Sequence, residues 1–141
     1  MDKSRDYIQM CRKASEIQKR WEPGLGDVFT DEESLIHFYM PNKDGKIKNG
    51  FGVKQNGNII ELEKLTWLPR LNQLMEMIGS SENHFRDTGF GFFDWTNKRG
   101  YKPDSSQNPF RTLEQVWLAY VMEKKHKKKW TGEAWEPLDK S

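Results

Sequence analysis

The chain has 141 residues, 23 Lys and Arg against 21 Asp and Glu, and a formal net charge of +2, which fits one domain spanning 1–141. Apolar residues make up 35% and mean hydropathy is −0.94, and no stretch approaches the ~18 consecutive apolar residues of a membrane span, so a soluble chain with no membrane partner is expected. Its 8 Phe, 6 Trp and 4 Tyr separate it from disordered chains, which are aromatic-poor and strongly charged, and these rings must supply much of the core.

Residues 4–21 carry Tyr7, Cys11, Ala14, Ile17 and Trp21 at steps of three and four, which predicts one amphipathic helix with Ile8 and Met10 flanking the stripe. Ser4 suits the N-cap, Asp6 the first turn, and Pro23-Gly24 the stop. Residues 26–63 read as β structure. Val28 and Phe29 open a short strand, residues 35–40 form a second, and residues 51–55 a third. Turn chemistry occupies residues 41–45 and 48–50. Asn56-Gly57 is the strongest hairpin signal, with residues 58–62 as its partner strand, and the whole reads as a meander of three or four antiparallel strands.

Trp67-Leu68-Pro69 then leads into a second helix over 69–79, with Pro69 at the first helical position and Leu71, Leu74, Met75 and Ile78 on its buried face. Residues 80–87 add one further helical turn. Residues 88–110 read as a short aromatic strand followed by a long polar loop, with Phe90, Phe92 and Trp95 alternating inward. Residues 112–127 are the clearest helix. Thr112 and Gln115 make a capping box, and Leu113, Val116, Trp117, Tyr120 and Val121 form its apolar stripe. Lysines crowd its C-terminal end, and Trp130 and Trp135 fold back after a turn.

Chemistry-bearing patterns are sparse. A lone cysteine, Cys11, excludes an internal disulfide and fits a reducing compartment, and the polar residues 1–6 lack the apolar core of a secretory signal. Three Gly-x-Gly pairs lack the third glycine of a dinucleotide loop, since Phe29, Gln55 and Asp94 stand where it belongs. His37, His84 and His126 lack metal-ligand spacing, and Asp31-Glu32-Glu33 reads as a solvated loop. No nucleophile elbow or phosphate loop occurs, so neither a catalytic residue, a metal nor a cofactor is expected.

Three surfaces deserve a role. Phe93, Trp95 and Tyr101 are mixed with Arg86, Lys98 and Arg99 in one segment, a combination suited to a protein interface or to a stacked nucleotide. Arg70 stands at a helix start, where anions bind. Lys124, Lys125, Lys127, Lys128 and Lys129 could attract nucleic-acid phosphates, although a pI of 8.6 falls short of the values above about 9 typical of such domains.

Several stretches carry a resemblance: Lys19-Arg20-Trp21-Glu22-Pro23 with Gly26-Asp27; Trp67-Leu68-Pro69-Arg70-Leu71-x-Gln73-Leu74; residues 113–122; and Trp130-x-Gly132-Glu133-x-Trp135. Together they resemble a family of small proteins encoded by phages and prophages of Gram-positive bacteria, a family with no established activity. The match covers the first helix, the second helix and the C-terminal third, while the strands and residues 80–110 diverge. The resemblance implies a phage accessory protein acting in the host cytoplasm, and its matching residues support the fold more than a site.

The expected fold is a single α+β domain, a small antiparallel sheet packed against N- and C-terminal amphipathic helices, with Trp21, Trp117 and Tyr120 as core anchors. The expected function is a non-enzymatic protein that binds a host or phage protein and inhibits a host defence. A nucleotide-sequestering protein and a nucleic-acid-binding protein using the lysine run are the alternatives.

Overall fold

The computed structural model describes residues 1–39, 52–55, 58–61, 64–78, 90–101, 106 and 108–138. The turns expected over 41–50 and at Asn56-Gly57, the helical turn over 80–87, Gly79, His84 and Arg86 lie outside the described residues. The chain is α+β, and its contacts divide it into two compact units, Lys3–Pro69 and Arg70–Ser141 with Met1–Asp2.

In the first unit, α1 (Arg5–Lys13) starts where Ser4 Oγ accepts the Tyr7 N–H at 3.2 Å, a cap worth about 1 kcal/mol. The single long helix expected over 4–21 is broken at Ala14, whose ψ of 71 leaves the helical region, and resumes as α2 (Ser15–Gln18). The cause is a side chain inserted into the ladder. Gln18 Nε2 donates to the Cys11 carbonyl at 3.0 Å, beside the Ala14 N–H at 3.1 Å. The apolar stripe survives the break, and Tyr7, Met10, Cys11, Ala14, Ile17 and Trp21 are all buried.

The sheet of this unit is antiparallel and three-stranded, in the order β2-β1-β5, with β1 at Val28–Thr30, β2 at Ile36–Phe38 and β5 at Thr66–Leu68. The register pairs Phe29 with His37 on one side and with Trp67 on the other. Strand β5 departs from the expected helix entry at Trp67-Leu68-Pro69. Residues flanked by buried positions on both sides leave no period to read, and the β-branched and aromatic pair Thr66-Trp67 fits a fully buried strand. The expected hairpin is present as β3 (Gly52–Gln55) and β4 (Asn58–Glu61), with Gln55 opposite Asn58, but it forms its own two-stranded sheet and does not continue the meander.

Helix α1 packs on β5 and is tied to its end by Tyr7, whose hydroxyl donates to the Pro69 carbonyl at 2.6 Å. Gln18 completes the sheet edge: its Oε1 accepts the Trp67 N–H at 2.7 Å and its Nε2 donates to the Trp67 carbonyl at 2.9 Å. One amide thus plays the part of a further strand's peptide. Trp21 stacks on Trp67 at 6.2 Å between centroids, and its Nε1 donates to buried Asp27 at 3.0 Å. Asp27 also accepts the Gly24 N–H at 2.9 Å, which fixes the turn after Pro23.

In the second unit, α3 (Leu71–Ile78) starts two residues later than expected. Arg70 is the cap, its N–H donating to Gln73 Oε1 at 2.8 Å, so Pro69 precedes the helix and does not open it. Helix α3 buries Leu74 and Ile78 and packs on α5 (Leu113–His126). Thr112 caps α5 as expected, accepting the Gln115 N–H at 3.3 Å, but Gln115 reaches back to the Arg111 N–H instead of closing the box on Thr112. The reason is a carboxylate at the cap. Asp2, buried, accepts from the Thr112 hydroxyl at 2.5 Å and from Gln115 Nε2 at 2.9 Å, placing a negative charge at the positive end of α5.

Helix α5 buries Val116, Trp117, Tyr120 and Val121 as the stripe predicts, whereas Leu113 is 50% exposed at its first position. It ends at Lys127, a non-glycine residue in the left-handed region with φ of 55, and the chain turns into the hairpin β6 (Lys128–Trp130) and β7 (Trp135–Pro137). Trp130 and Trp135 face each other across it with centroids 5.0 Å apart, and β6 packs on α5. A side chain at left-handed φ costs about 1 kcal/mol, so Lys127→Gly is expected to raise stability by a similar amount. Urea denaturation of the two chains checks this, and an unchanged or lower midpoint would contradict it.

Candidate functional site

The aromatic segment is a helix. Residues 90–91 form a wide turn that leads into α4 (Phe92–Arg99), correcting the expected strand and the start of the expected loop, of which residues 102–105 and 107 lie outside the described residues. Phe92, Trp95, Thr96 and Arg99 fall at i, i+3, i+4 and i+7, a helical period that the local alternation of Phe90 and Phe92 conceals. Lys98-Arg99-Gly100 is an ordinary helix end: Gly100 has φ of 76, its N–H donates to the Asn97 and Thr96 carbonyls, and the Tyr101 N–H donates to Thr96 at 2.9 Å.

One acid anchors this helix to α5. Glu123 Oε2 accepts from Trp95 Nε1 at 2.9 Å, and Glu123 Oε1 pairs with the Arg99 guanidinium. Rings complete the joint. Phe92 stacks on Trp117 at 4.2 Å and 12°, Trp95 lies 5.1 Å from Tyr120 and 5.2 Å from Tyr101, and Tyr101 meets Phe110 edge-on at 5.1 Å. Each such pair adds about 0.5–1.5 kcal/mol beyond burial.

Beside this joint lies a cleft of about 550 Å³ lined by α4, by Tyr101, Asn108 and Phe110, and by the start of α5. Its apolar walls include Phe92, Phe93, Phe110 and Val116, and Asn97 and Arg111 add polar groups. That volume and that mixture match an ordinary ligand site, which is concave, mostly apolar and set with a few polar groups. Phe90 is 69% exposed in place of the inward position expected of it, and Phe93 is 66% exposed.

The residues singled out by sequence therefore separate. Phe93 and Tyr101 line the cleft. Trp95 and Arg99 are its scaffold, both held by Glu123. Lys98 is exposed and pairs with Asp94 at 3.0 Å on the same helix. Arg70 caps α3 and is not among the cleft's lining residues, and Arg86 lies outside the described residues. The lysines divide between two elements: Lys124 and Lys125 sit in the last turn of α5, Lys127 at the cap, and Lys128 and Lys129 on β6, where neighbouring side chains point to opposite faces. Sequence reasoning passed over Asn97, Phe110 and Arg111. Arg111 was findable, because the residue before a capping Thr112 stands beside a helix start.

Burial raises the Tyr101 phenol above its ordinary value near 10; the Glu123 carboxylate adds to the rise and the Arg99 guanidinium opposes it. The folded chain thus holds this proton more tightly than the unfolded chain. The contribution is complete below the unfolded value near pH 10 and is lost as pH rises through the folded value. Between about pH 9 and 11 the melting temperature of the wild type should fall more steeply than that of Tyr101→Phe. Parallel profiles would contradict the assignment.

In the first unit, His37 Nε2 lies 3.0 Å from Asp31 Oδ2 and the ring packs on Phe29 at 5.3 Å. The hydrogen bond with His37 holds the Asp31 carboxyl below its ordinary value against the opposing effect of burial, and the Leu35 and Glu33 N–H groups help. Asp31 is half-buried and organises the β1–β2 turn, where Ser34 adopts φ of 65; it is not simply a solvated acid, whereas Glu32 and Glu33 are exposed. The pair acts as a brace across that turn. Among the described residues, no cluster of three His, Cys, Asp or Glu side chains could hold a metal ion, and no helix is long and apolar enough to cross a membrane.

No protein-family model, curated protein or solved structure matches this chain. The functional reading therefore rests on the cleft and on the residues around it.

Proposed function

We propose that this is a non-enzymatic binding protein, a phage accessory factor that holds a host or phage protein in the host cytoplasm and thereby inhibits a host defence. The observation that carries the binding reading is the pair of rings, Phe90 and Phe93, left largely in water beside an apolar cleft. Phe93 lines the cleft from α4, and Phe90 stands in the wide turn that leads into that helix. Exposed aromatics bordering a cavity are typical of surfaces that another molecule covers. The phage setting comes from the resemblance of the Trp21, Trp67, Trp117 and Trp130 stretches alone.

Capture from the lysate of a Gram-positive host tests the reading. The tagged wild-type chain should retain a discrete protein, and Phe93→Ala should lower its recovery by about tenfold while the melting temperature barely moves, because that ring contributes little to the core. Equal recovery by both chains would refute the assignment of the cleft as the recognition site.

A further inference from the structure

We infer that the cleft receives one kind of partner segment: a stretch of polypeptide that places a bulky apolar side chain between α4 and the start of α5 and sets a carboxylate against Arg111. This rests on the cleft being a protein-binding site and states what the partner must present.

Three observations converge on it. The first concerns extent. The apolar surface does not stop at the cavity: Leu113, a lining residue at the first position of α5, is 50% exposed, and Phe90, two residues before the lining residue Phe92 and not itself in the lining, is 69% exposed. A small molecule filling the cavity leaves Phe90 in water, whereas a polypeptide running past its mouth covers it. The second concerns charge. Arg99 is committed to Glu123 and Lys98 to Asp94. Arg111 lines the cleft and is exposed, and among the described residues its guanidinium pairs with no carboxylate. A guanidinium fork donates two parallel hydrogen bonds to a carboxylate, and because Asp2 already occupies the positive end of α5 the attraction comes from Arg111 itself. The third concerns the backbone of the guest. Asn97 lines the same cleft, and among the described residues its side-chain amide has no partner. One donor and one acceptor on a single side chain match a peptide unit, which offers the complementary pair.

The test uses the full chain and a capped pentapeptide, alanine–glutamate–phenylalanine–glutamate–alanine, with a second peptide carrying glutamine for both glutamates. Affinity is read by anisotropy of a labelled peptide, and position by the NMR signals of the Arg111 guanidinium and the Asn97 amide. The acidic peptide should bind about tenfold more tightly than the neutral one and move both signals. Arg111→Gln, a change at an exposed position, should erase that difference by weakening the acidic peptide far more than the neutral one; Phe93→Ala should weaken both peptides. Equal affinity for the two peptides overturns the inference, as does an equal loss of both with Arg111→Gln. So does adenosine monophosphate moving the two signals when neither peptide does, which would assign the cleft to a small aromatic anion. Should the peptides fail while Phe93→Ala still abolishes capture of a host protein, this inference falls and the proposed function stands. Should both fail, the cleft is no protein-binding site.

Discussion

Gln18→Leu is expected to destabilise the N-terminal unit by about 2–4 kcal/mol. Leucine keeps the bulk of the side chain but removes the amide that serves the Trp67 N–H at 2.7 Å, the Trp67 carbonyl at 2.9 Å and the Cys11 carbonyl at 3.0 Å. The Cys11 carbonyl retains the Ala14 N–H, so the loss there is partial. Both backbone groups of Trp67 are orphaned in a strand whose residues are all buried, and an unpaired buried peptide group costs about 1–3 kcal/mol. Gln18→Glu separates hydrogen bonding from shape, since a carboxylate can accept from Trp67 but cannot donate to either carbonyl. Denaturation followed by the NMR indole signals of stacked Trp21 and Trp67 reads this unit directly. A loss under about 0.5 kcal/mol would mean that the amide is replaced by water and does not close the sheet edge.

The second large effect belongs to Glu123. Its side chain is 13% exposed and is the acceptor for both Trp95 Nε1 and Arg99. Glu123→Ala should lower the stability of the C-terminal unit by about 2 kcal/mol. Most of this comes from the half-buried indole, because Arg99 is 45% exposed and can turn to water. The consequence reaches function. Phe93 and Tyr101, which line the cleft, flank the two anchored residues, so releasing Trp95 and Arg99 should loosen that wall and weaken partner capture without touching Arg111. Asp94→Ala is the control. It breaks an exposed pair with Lys98 and should change stability by less than about 0.5 kcal/mol. Equal effects of the two substitutions would show that Glu123 is not the joint between α4 and α5.

Where the sequence carried a clean period or an explicit cap, the structure follows it. The α5 stripe, the Ser4 and Thr112 caps, the antiparallel pairing of β3 with β4, and the burial of Trp21, Trp117 and Tyr120 were all legible. Three features were not, each for a physical reason. The break at Ala14 comes from Gln18, a residue distant along the helix that satisfies groups on another element, and no local propensity records that. Strand β5 is buried throughout, so it lacks the alternation that marks a half-exposed strand. Helix α4 is aromatic at successive positions, and two phenylalanines in alternation outweighed the weaker helical period beneath.

The site was legible in part. Composition pointed to a segment from which Phe93 and Tyr101 line the cleft. It could not sort cations by whether a partner already holds them. Arg99 and Lys98 read as anchors and are engaged by acids, while Arg111 drew no notice and lines the cleft. That distinction depends on where Glu123 and Asp94 fall once the helices form.

The account turns on the α4–α5 cleft being the surface that a partner covers. Amide hydrogen exchange on the captured complex, compared with the chain alone, tests this most directly. Slowing should concentrate in residues 92–101 and 110–116, with the lysine-bearing end at 124–129 unchanged. Slowing at 124–129, or along the exposed edge at Leu35 and Phe38 with none at α4, would contradict it.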